Sequence, residues 1–579
     1  MKGNGMKETG KLSFTFIVPL AILAIVRVVL GVLIGIWYPA AQLWDDQLMV
    51  SYMAIGSHFK NPVYYSLVKV MGWPVIVNLF SKTGLPYAAS LSIMCVGAAT
   101  AALFLLKRLF KGNKVIMVIG YIYVLFMPQA FDIWSGTRFY RTAMIAPFEF
   151  ITFCFMIQSV LSAREKGVFK ILTAVFTGLF FSVTYFLKED GKWILACLLA
   201  ATVIGVGYSL YGKKLKDTGA TVCKNILVLL IPLIIFTATD LSYRAVNYKY
   251  FGVFDVNTRL ESEFGSFCAK VYSVESPNRN LHVWAPYDAI EKVFAASPTL
   301  SQHENLLNAI LTTSWCDNDI KANPIPGDLF AWILRNCLKA EGMYTSEADV
   351  KAFFKQVNGE LEDAFKDGTL KKQKGALQLF KATGAFTSDE IKEILHVTGE
   401  SFNGAITLKG YNAGIGEVPE EEILDNWSSV DGAIYYSNTP YLEDYSKQKV
   451  LSDKFIPVIN VIFFIYKYIN IAICLLSCGI ILFEVVKFIV GLKSARVYFE
   501  KNYKIFFLAV TALMFLGVGL CYAFSISWFS TFVFSESVNM TILNFYNIAL
   551  PGLLFFAYTF AICSLYHEIN LKRGSMSNE

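Results

Sequence analysis

The sequence has little charge and few of the motifs that mark a soluble enzyme. Only 17% of its 579 residues are Asp, Glu, Lys or Arg, against roughly a quarter in an ordinary globular domain. It has no Walker A motif, no GxGxxG after a strand and no GxSxG, so ATP, dinucleotide and serine-hydrolase sites lack support. The cysteines form no CxxC pair and no metal-type spacing. The low charge, together with the long apolar runs described next, excludes a soluble enzyme, a fibrous protein and a disordered chain.

Long apolar runs make up much of the chain, and 55% of its residues are hydrophobic. About 20 such residues are needed to cross a bilayer. We therefore predict an α-helical polytopic membrane protein with about ten spans. They are Leu12–Trp37, Pro86–Leu106, Val115–Met127, Thr142–Ser162, Ile171–Leu187, Trp193–Tyr211, Asn225–Leu241, Val461–Val486, Ile505–Phe524 and Ile542–Leu565.

The distribution of Lys and Arg predicts which loops lie on each side of the membrane. The first run is longer than the apolar part of a cleavable signal peptide, so we interpret it as an uncleaved helix with its N-terminus inside. The loops after spans 2, 4, 6 and 8 then lie inside, and all of them are basic. Their cations include Lys107, Arg108, Lys111, Lys114, Arg164, Lys166, Lys170, Lys213, Lys214, Lys216, Lys224, Lys493, Arg496, Lys501 and Lys504. This positive-inside pattern predicts a plasma-membrane protein with both termini in the cytoplasm, and it accounts for the net charge of +6 without nucleic-acid binding.

The topology predicts three regions. Residues 1–241 form an N-terminal transmembrane bundle, 242–453 an extracytoplasmic soluble domain, and 454–579 the C-terminal helices with a cytoplasmic tail. The domain is predicted to be mainly helical (α or α+β), with a helix over Ser346–Asp367 that ends at Gly368 and a capping box at Thr387 and Glu390. A short stretch such as Ala433–Tyr436 is a candidate strand.

Charged side chains concentrate in the short loops that are predicted to lie outside. They are Asp45, Asp46 and Lys69 in the first loop, Arg138 and Arg141 after the third span, and Lys188, Glu189 and Asp190 after the fifth. Two adjacent carboxylates repel each other, so one is retained as a general base or both share a divalent cation. Arg and Lys suit a phosphate group. Each motif also has a structural interpretation: a solvated acidic pair, a self-neutralising turn, or arginines that bind lipid head groups.

This layout resembles the GT-C class of integral-membrane glycosyltransferases, which have many spans, an acidic pair in the first outer loop and a large external domain. The resemblance extends over most of Leu12–Phe365 and is general in the C-terminal third. Lys188 stands where Arg is expected, and Val70–Met71 interrupts an expected Gly-Pro-rich turn. Segments similar to recurrent motifs of a group of uncharacterised bacterial membrane proteins thought to be such transferases are Trp44–Met49, Lys69–Pro74, Arg138–Arg141, Lys188–Gly191 and Asp328–Tyr344.

The resemblance implies transfer of a sugar from a polyprenyl-phosphate or polyprenyl-diphosphate donor to a cell-envelope glycan, lipid or protein on the outer face. Asp45 is then the first choice for the catalytic base and Asp46 the second. The implied donor-phosphate ligands are Arg138, Arg141, Lys188 and Lys69, while Glu189 and Asp190 hold the cations or contribute to a metal site. The implied partners are the lipid-linked sugar, membrane lipids and the glycan acceptor; no metal is required, although Mg or Mn fits the class.

Two other functions remain open on the sequence. A transporter or flippase for lipid-linked glycans predicts charges at mid-membrane and broken helices with pseudo-symmetry. A catalytically silent scaffold predicts that Asp45 lies far from the two arginines. Within the spans, we expect Arg27 to pair with Glu149, and His58 is an alternative base in the first loop.

Overall fold

The computed structural model describes residues 13–37, 46–53, 55–165, 167–210, 219–377, 384–416, 442–491, 495–534 and 537–576. These parts of the chain are helices joined by short turns, and their β pairing is limited to isolated bridges. The predicted strand at Ala433–Tyr436 lies outside the described residues.

The N-terminal region consists of long apolar helices with shorter ones between them. They are α1 (Phe14–Ile34), α2 (Asp46–Ser51), α3 (Ile55–Lys60), α4 (Gly72–Ser81), α5 (Tyr87–Leu109), α6 (Lys114–Leu125), α7 (Thr142–Leu161), α8 (Val168–Tyr185), α9 (Lys192–Leu210) and α10 (Ala220–Phe251).

A group of helices follows that is separate in sequence from the apolar runs and has a core of its own. They are α11 (Glu263–Ser273), α12 (Tyr287–Ala296), α13 (Glu304–Leu311), α14 (Leu329–Ala340), α15 (Glu347–Asp367) and α16 (Ser388–Thr407). The side chain of Ser346 caps α15, Gly368 ends it at φ 87°, and Thr387 with Glu390 forms a capping box at α16. These helix signals are therefore confirmed.

The last part of the chain returns to the bundle. Its helices are α17 (Leu442–Gly491), α18 (Ala495–Thr531), α19 (Met540–Tyr546) and α20 (Leu550–Met576). The run predicted as one span, Ile542–Leu565, is thus divided between α19 and α20. The long helices α10 and α17 extend beyond the predicted spans into the region assigned to the soluble domain.

Nine helices in the described residues are long and apolar enough to cross a membrane, which supports a multi-pass membrane protein. They lie on α1, α5, α7, α8, α9, α10, α17, α18 and α20. The remaining predicted span, Val115–Met127, falls on α6, whose 12 residues extend only about 18 Å. A one-turn 3₁₀ helix follows at Pro128–Ala130, and the chain then reaches the end of α1, where the Phe139 N–H donates to the Trp37 carbonyl oxygen at 2.8 Å.

The helical domain packs on one end of the bundle, which we call the domain end. Trp284 of the domain stacks on Trp528 near the end of α18, with ring centroids 4.9 Å apart. Phe529 and Phe532 continue this contact into the domain core. Large apolar rings fix the two cores together, because they bury more area than other side chains.

Candidate functional site

The acidic pair of the first loop is only partly described. Asp45 lies outside the described residues. Asp46 begins α2, but its side chain is not described. Met49, one turn further along α2, is fully buried in a core cluster that also contains Phe139 and Leu187. The first-loop helix therefore packs in the same core cluster as residues next to Arg138 and Lys188.

Glu189 is the centre of the charged cluster at the domain end. Its Oε1 lies 2.5 Å from Nη1 of Arg141 and accepts a hydrogen bond from the Val70 backbone N–H at 3.2 Å. Burial acts to raise the pKa of Glu189, but the charges of Arg141 and Lys69 hold it at about 2. Glu189 is therefore a carboxylate at neutral pH, and two cations from separate loops share it.

Lys188 and Asp190 form a second ion pair in the same turn, with the Lys188 Nζ 2.8 Å from Asp190 Oδ2. Lys188 is 18% exposed, whereas Arg141 is 5% exposed. Lys188 also lines a narrow cleft with Glu189 and Lys192 of the bundle and with Asn257 at the start of the domain. Among Lys69, Arg141 and Lys188 it is therefore the cation that lines this cleft, beside the more exposed Lys192.

The loop that carries Lys69 is held between the bundle and the domain; we call residues 64–72 the strap. On the bundle side, the Gly72 N–H donates to the Phe186 carbonyl oxygen at 3.0 Å. On the domain side, the Leu67 carbonyl oxygen accepts from the Thr258 N–H at 2.9 Å, and the Tyr64 carbonyl oxygen accepts from Arg335 at 2.9 Å. The position of the strap therefore depends on how the bundle and the domain lie relative to each other.

Gly72 has a steric reason to be glycine. A Cβ atom there would lie 2.1 Å from the Phe186 carbonyl oxygen, which is far inside van der Waals contact. The close approach brings the strap against the Lys188–Asp190 turn. The Gly-Trp-Pro sequence after Lys69 thus reflects a packing requirement of this site.

Lys69 itself is buried against the domain. Its Nζ lies 5.3 Å from the centroid of the Trp332 ring, and Arg259 approaches the same ring at 6.0 Å. Arg259 also pairs with Asp328. The stretch Asp328–Tyr344, which the sequence singled out, therefore meets the strap, and the cation–π contact gives Lys69 a fixed position.

Arg138 lies in a cage of aromatic rings at the end of α1. Its side chain has no exposed surface. The guanidinium carbon is 5.9 Å from the centroid of Trp37, 5.0 Å from Trp134, 5.1 Å from Tyr140 and 5.1 Å from Phe545. Because bulk solvent does not reach it, Arg138 is less suited than Lys188 to first contact with a phosphate.

Asp132, to which the sequence assigned no role, organises the loop that carries the two arginines. Its carboxylate accepts backbone N–H groups of Ser135 and Asn412, each at 2.9 Å. Burial raises the pKa of Asp132 to about 6, although these hydrogen bonds act to lower it. The only sequence signal was an Asp three residues before a Ser, a spacing typical of side-chain-to-backbone turns.

The predicted pairing of Arg27 is wrong, and the structure shows the surroundings of His58, the alternative base. Arg27 does not pair with Glu149; its guanidinium donates to the Leu125 carbonyl oxygen at 3.1 Å and to Ser92 Oγ at 3.0 Å. His58 is buried among aromatic rings, including Tyr52 at 4.4 Å, and burial lowers its pKa to about 4. A residue enclosed in this way packs the first loop and is not placed to meet a substrate.

The described residues contain no group of three or more His, Cys, Asp or Glu side chains that is arranged to hold a metal ion. Glu189 and Asp190 each pair with a cation, which favours the role of holding those cations over a metal site. No protein-family profile, no curated protein and no solved structure matches the chain.

Proposed function

We propose that the protein is a membrane glycosyltransferase of the GT-C kind, which moves a sugar from a polyprenyl-phosphate or polyprenyl-diphosphate donor to a cell-envelope acceptor. One observation carries the proposal. Lys69, Arg141 and Lys188 come from three loops that are far apart in sequence, yet they gather around the Glu189–Asp190 turn at the domain end. A bundle that has few charges thus concentrates cations where a lipid phosphate would arrive.

The three cations have different roles in the proposed reaction. Lys188 borders the cleft and contacts the donor phosphate, whereas Arg141 and Lys69 are held by Glu189 and add positive potential behind it. When the bond from the anomeric carbon to the phosphate oxygen breaks, negative charge grows on the departing lipid phosphate. Fixed cations in a water-poor site stabilise that charge strongly. The acceptor oxygen bonds to the anomeric carbon as the lipid phosphate leaves, and Asp45, with Asp46 as the second choice, takes the proton from the acceptor hydroxyl.

The orientation in the membrane belongs to the same proposal. The basic loops after the even-numbered spans support a domain end that faces outward. A lipid-linked donor and an envelope acceptor would meet there. A cysteine introduced at the exposed Lys392 of α16 should react with a membrane-impermeant maleimide in intact cells, and reaction only after permeabilisation would reverse the orientation.

The donor site is tested by binding of a polyprenyl phosphate to the purified protein in lipid nanodiscs, with the matching polyprenol as the probe that lacks phosphate. Lys188→Gln should weaken phosphate binding by about tenfold or more, because a charge-assisted hydrogen bond contributes about 1.5–3 kcal/mol. Polyprenol binding should not change. Lys392→Gln removes an exposed cation of the domain and is the matched control. Equal phosphate binding by all three proteins would contradict the site.

The base is tested by transfer of radiolabelled glucose from polyprenyl-phosphate-glucose to lipid-extracted envelope glycan. Asp45→Asn should abolish transfer while polyprenyl-phosphate binding persists. Full transfer by this variant moves the assignment to Asp46, which is tested with Asp46→Asn. Full transfer by both variants would remove the proposed base.

A transporter of lipid-linked glycans is the second candidate, because buried polar features occur within the spanning segments. Glu149 lies inside α7, and the chain is interrupted between α19 and α20. Discontinuous helices next to buried charges are typical of transporters. Reconstituted vesicles that contain a fluorescent polyprenyl phosphate separate the two functions: accelerated loss of inner-leaflet dye to an external quencher, with no sugar transfer, would favour the transporter.

A further inference from the structure

A narrow cavity lies among the spanning helices, and none of its lining residues borders the cleft that Lys188 lines. Its walls come from α7 and from the start of α20, and Gln129 closes it. Most of the lining is apolar, with Phe150, Phe153 and Phe556 on its sides. The two polar side chains of the lining are Gln129 and Glu149, and the space has room for about one water molecule.

Glu149 is the unusual member of this lining. It is 9% exposed within a spanning helix, and among the described residues its side chain has no hydrogen-bond or ion-pair partner. Lys188 and Asp190 are the charged groups that act on it electrostatically. The Lys188 Nζ already lies 2.8 Å from Asp190 Oδ2, and it forms no direct ion pair with Glu149.

The other elements packed around Glu149 contribute weakly acidic groups. Glu149 acts electrostatically on Cys197 of α9 and on Tyr522 of α18. Thr152 and Thr184 hydrogen-bond to each other across α7 and α8 at 2.8 Å. None of these groups supplies a positive charge, so Lys188 is the cation to which Glu149 responds.

An isolated carboxylate in an apolar interior costs several kcal/mol unless a cation or a proton neutralises it. A metal ion is a poor match, because Ca²⁺ or Mg²⁺ takes about six oxygen ligands and the polar lining here consists of one carboxyl and one amide. A proton needs only the carboxyl group, and a single water between Glu149 and the Gln129 amide satisfies the remaining polar atoms.

We propose that this cavity is a proton-binding site with Glu149 as the acceptor, and that its charge state positions Lys188. When Glu149 holds a proton, Lys188 stays with Asp190 at the cleft. When Glu149 loses the proton, its negative charge competes with Asp190 and draws Lys188 toward the bundle interior. The second part rests on the proposed function, in which Lys188 meets the donor phosphate; the first part does not.

The test uses dicyclohexylcarbodiimide, an apolar reagent that modifies carboxyl groups only in their protonated form. The acid O–H adds across one C=N bond, and rearrangement leaves an N-acylurea on the side chain. Protein in lipid nanodiscs is labelled over a range of pH and the modified peptides are identified by mass spectrometry. We expect labelling at Glu149 that falls as the pH rises and is absent in Glu149→Gln, with no labelling of Glu189, which is paired with Arg141.

Two variants test the coupling. Lys188→Met removes a positive charge and should move the labelling midpoint to higher pH. Asp190→Asn removes a negative charge and should move it to lower pH. A role of Glu149 in packing alone would not produce shifts in opposite directions, so shifts in one direction, or none, would overturn the coupling to Lys188.

Two results would overturn the proton site itself. One is the absence of label at Glu149 at every pH. The other is protection of Glu149 by sodium chloride but not by choline chloride, which would make it a sodium site. Because the readout needs no sugar donor, it can succeed when the transfer assay fails, and it can fail when the transfer assay succeeds.

Discussion

Two arginines, one at the junction with the domain and one in the bundle, are both buried but have very different surroundings. Arg335 of α14 donates to the Tyr64 carbonyl oxygen, to Tyr344 and to Thr258, and lies 3.4 Å from Glu347. Arg138 is surrounded by the faces of four aromatic rings. Hydrogen bonds to oxygen atoms fix the orientation of a guanidinium group. Ring faces stabilise its charge but constrain its orientation little. We infer that Arg335 is a structural link and that the four rings help to hold Arg138 near the proposed site.

Glu347 at the domain junction and Glu189 at the bundle end, the two buried carboxylates, also differ in the direction of their pKa shifts. Burial raises the pKa of Glu347 despite the nearby Arg335. In contrast, Arg141 and Lys69 overcome burial and hold the pKa of Glu189 at about 2. The closer approach to Arg141, 2.5 Å against 3.4 Å, and the second cation explain the difference. At the domain junction Glu347 thus has one arginine partner, whereas Glu189 at the bundle end responds to two cations.

The largest effect should come from Arg335→Met. It leaves Glu347 buried without its cation and releases the strap at Tyr64, so we expect a loss of about 3–5 kcal/mol in the free energy of unfolding. Denaturant unfolding of the nanodisc-embedded protein measures it. The double variant Arg335→Met/Glu347→Leu should recover part of the loss. Lys366→Met in the exposed pair with Asp363 is the control, and a loss no larger than that control would contradict the structural link.

The second largest effect should be the dependence of the unfolding free energy on pH that comes from Glu189. Its folded-state pKa lies below the ordinary value of 4.5, so its stabilisation is present above about pH 4.5 and is lost as the pH falls through about 2. The difference in stability between wild type and Glu189→Gln should be on the order of 3 kcal/mol at neutral pH and should shrink across that range. Unfolding measured at several pH values checks this. Asp363→Asn, on the domain surface, should differ little from wild type, and a Glu189→Gln difference that stays constant with pH would be inconsistent with a lowered pKa.

A smaller effect is expected for Arg138→Lys, which keeps the charge but loses the planar group between the rings. We expect a loss of about 2 kcal/mol in unfolding free energy, since desolvated cation–π contacts reach that size. Arg244→Lys is the matched control, because Arg244 pairs with Asp240 and Glu261 and is 21% exposed. If both variants lose the same stability, the aromatic cage has no special contribution.

The smallest effect should follow from Trp332→Leu, which removes the ring shared by Lys69 and Arg259. A loss of about 1 kcal/mol is expected from a single cation–π site, together with weaker binding of a polyprenyl phosphate through a less fixed Lys69. Trp315→Leu changes a half-exposed domain tryptophan and serves as the reference. Unchanged phosphate binding in Trp332→Leu would show that the Trp332 ring does not position Lys69 for the donor.

Local signals predicted much of the helical framework. Ser346 and Gly368 mark the ends of α15, and Thr387 with Glu390 marks the start of α16, because capping depends on residues within one turn. The apolar runs identified the spanning helices, since bilayer thickness sets a length that is visible in the sequence. They did not predict how short α6 is or that the last run is interrupted between α19 and α20.

The partners of the buried charged side chains could not be predicted from such local signals. Arg27 and Glu149 are both buried in spans, but Arg27 finds oxygens on α5 and α6 whereas Glu149 faces a cavity. Which groups meet depends on helix rotation and on packing between segments that are far apart in the chain. The roles of Asp132 and of Gly72 depend equally on contacts across long sequence separations.

By itself, the sequence determined that this is a multi-pass helical membrane protein with a helical insertion, because hydropathy, helix periodicity and capping are properties of neighbouring residues. Only the tertiary structure decided that the strap, the Glu189 turn and the Asp328–Tyr344 stretch meet at one end of the bundle, and that Glu149 faces a separate cavity. Ion pairs and cavities arise from the packing of distant segments, and a single sequence does not encode that packing in any local pattern.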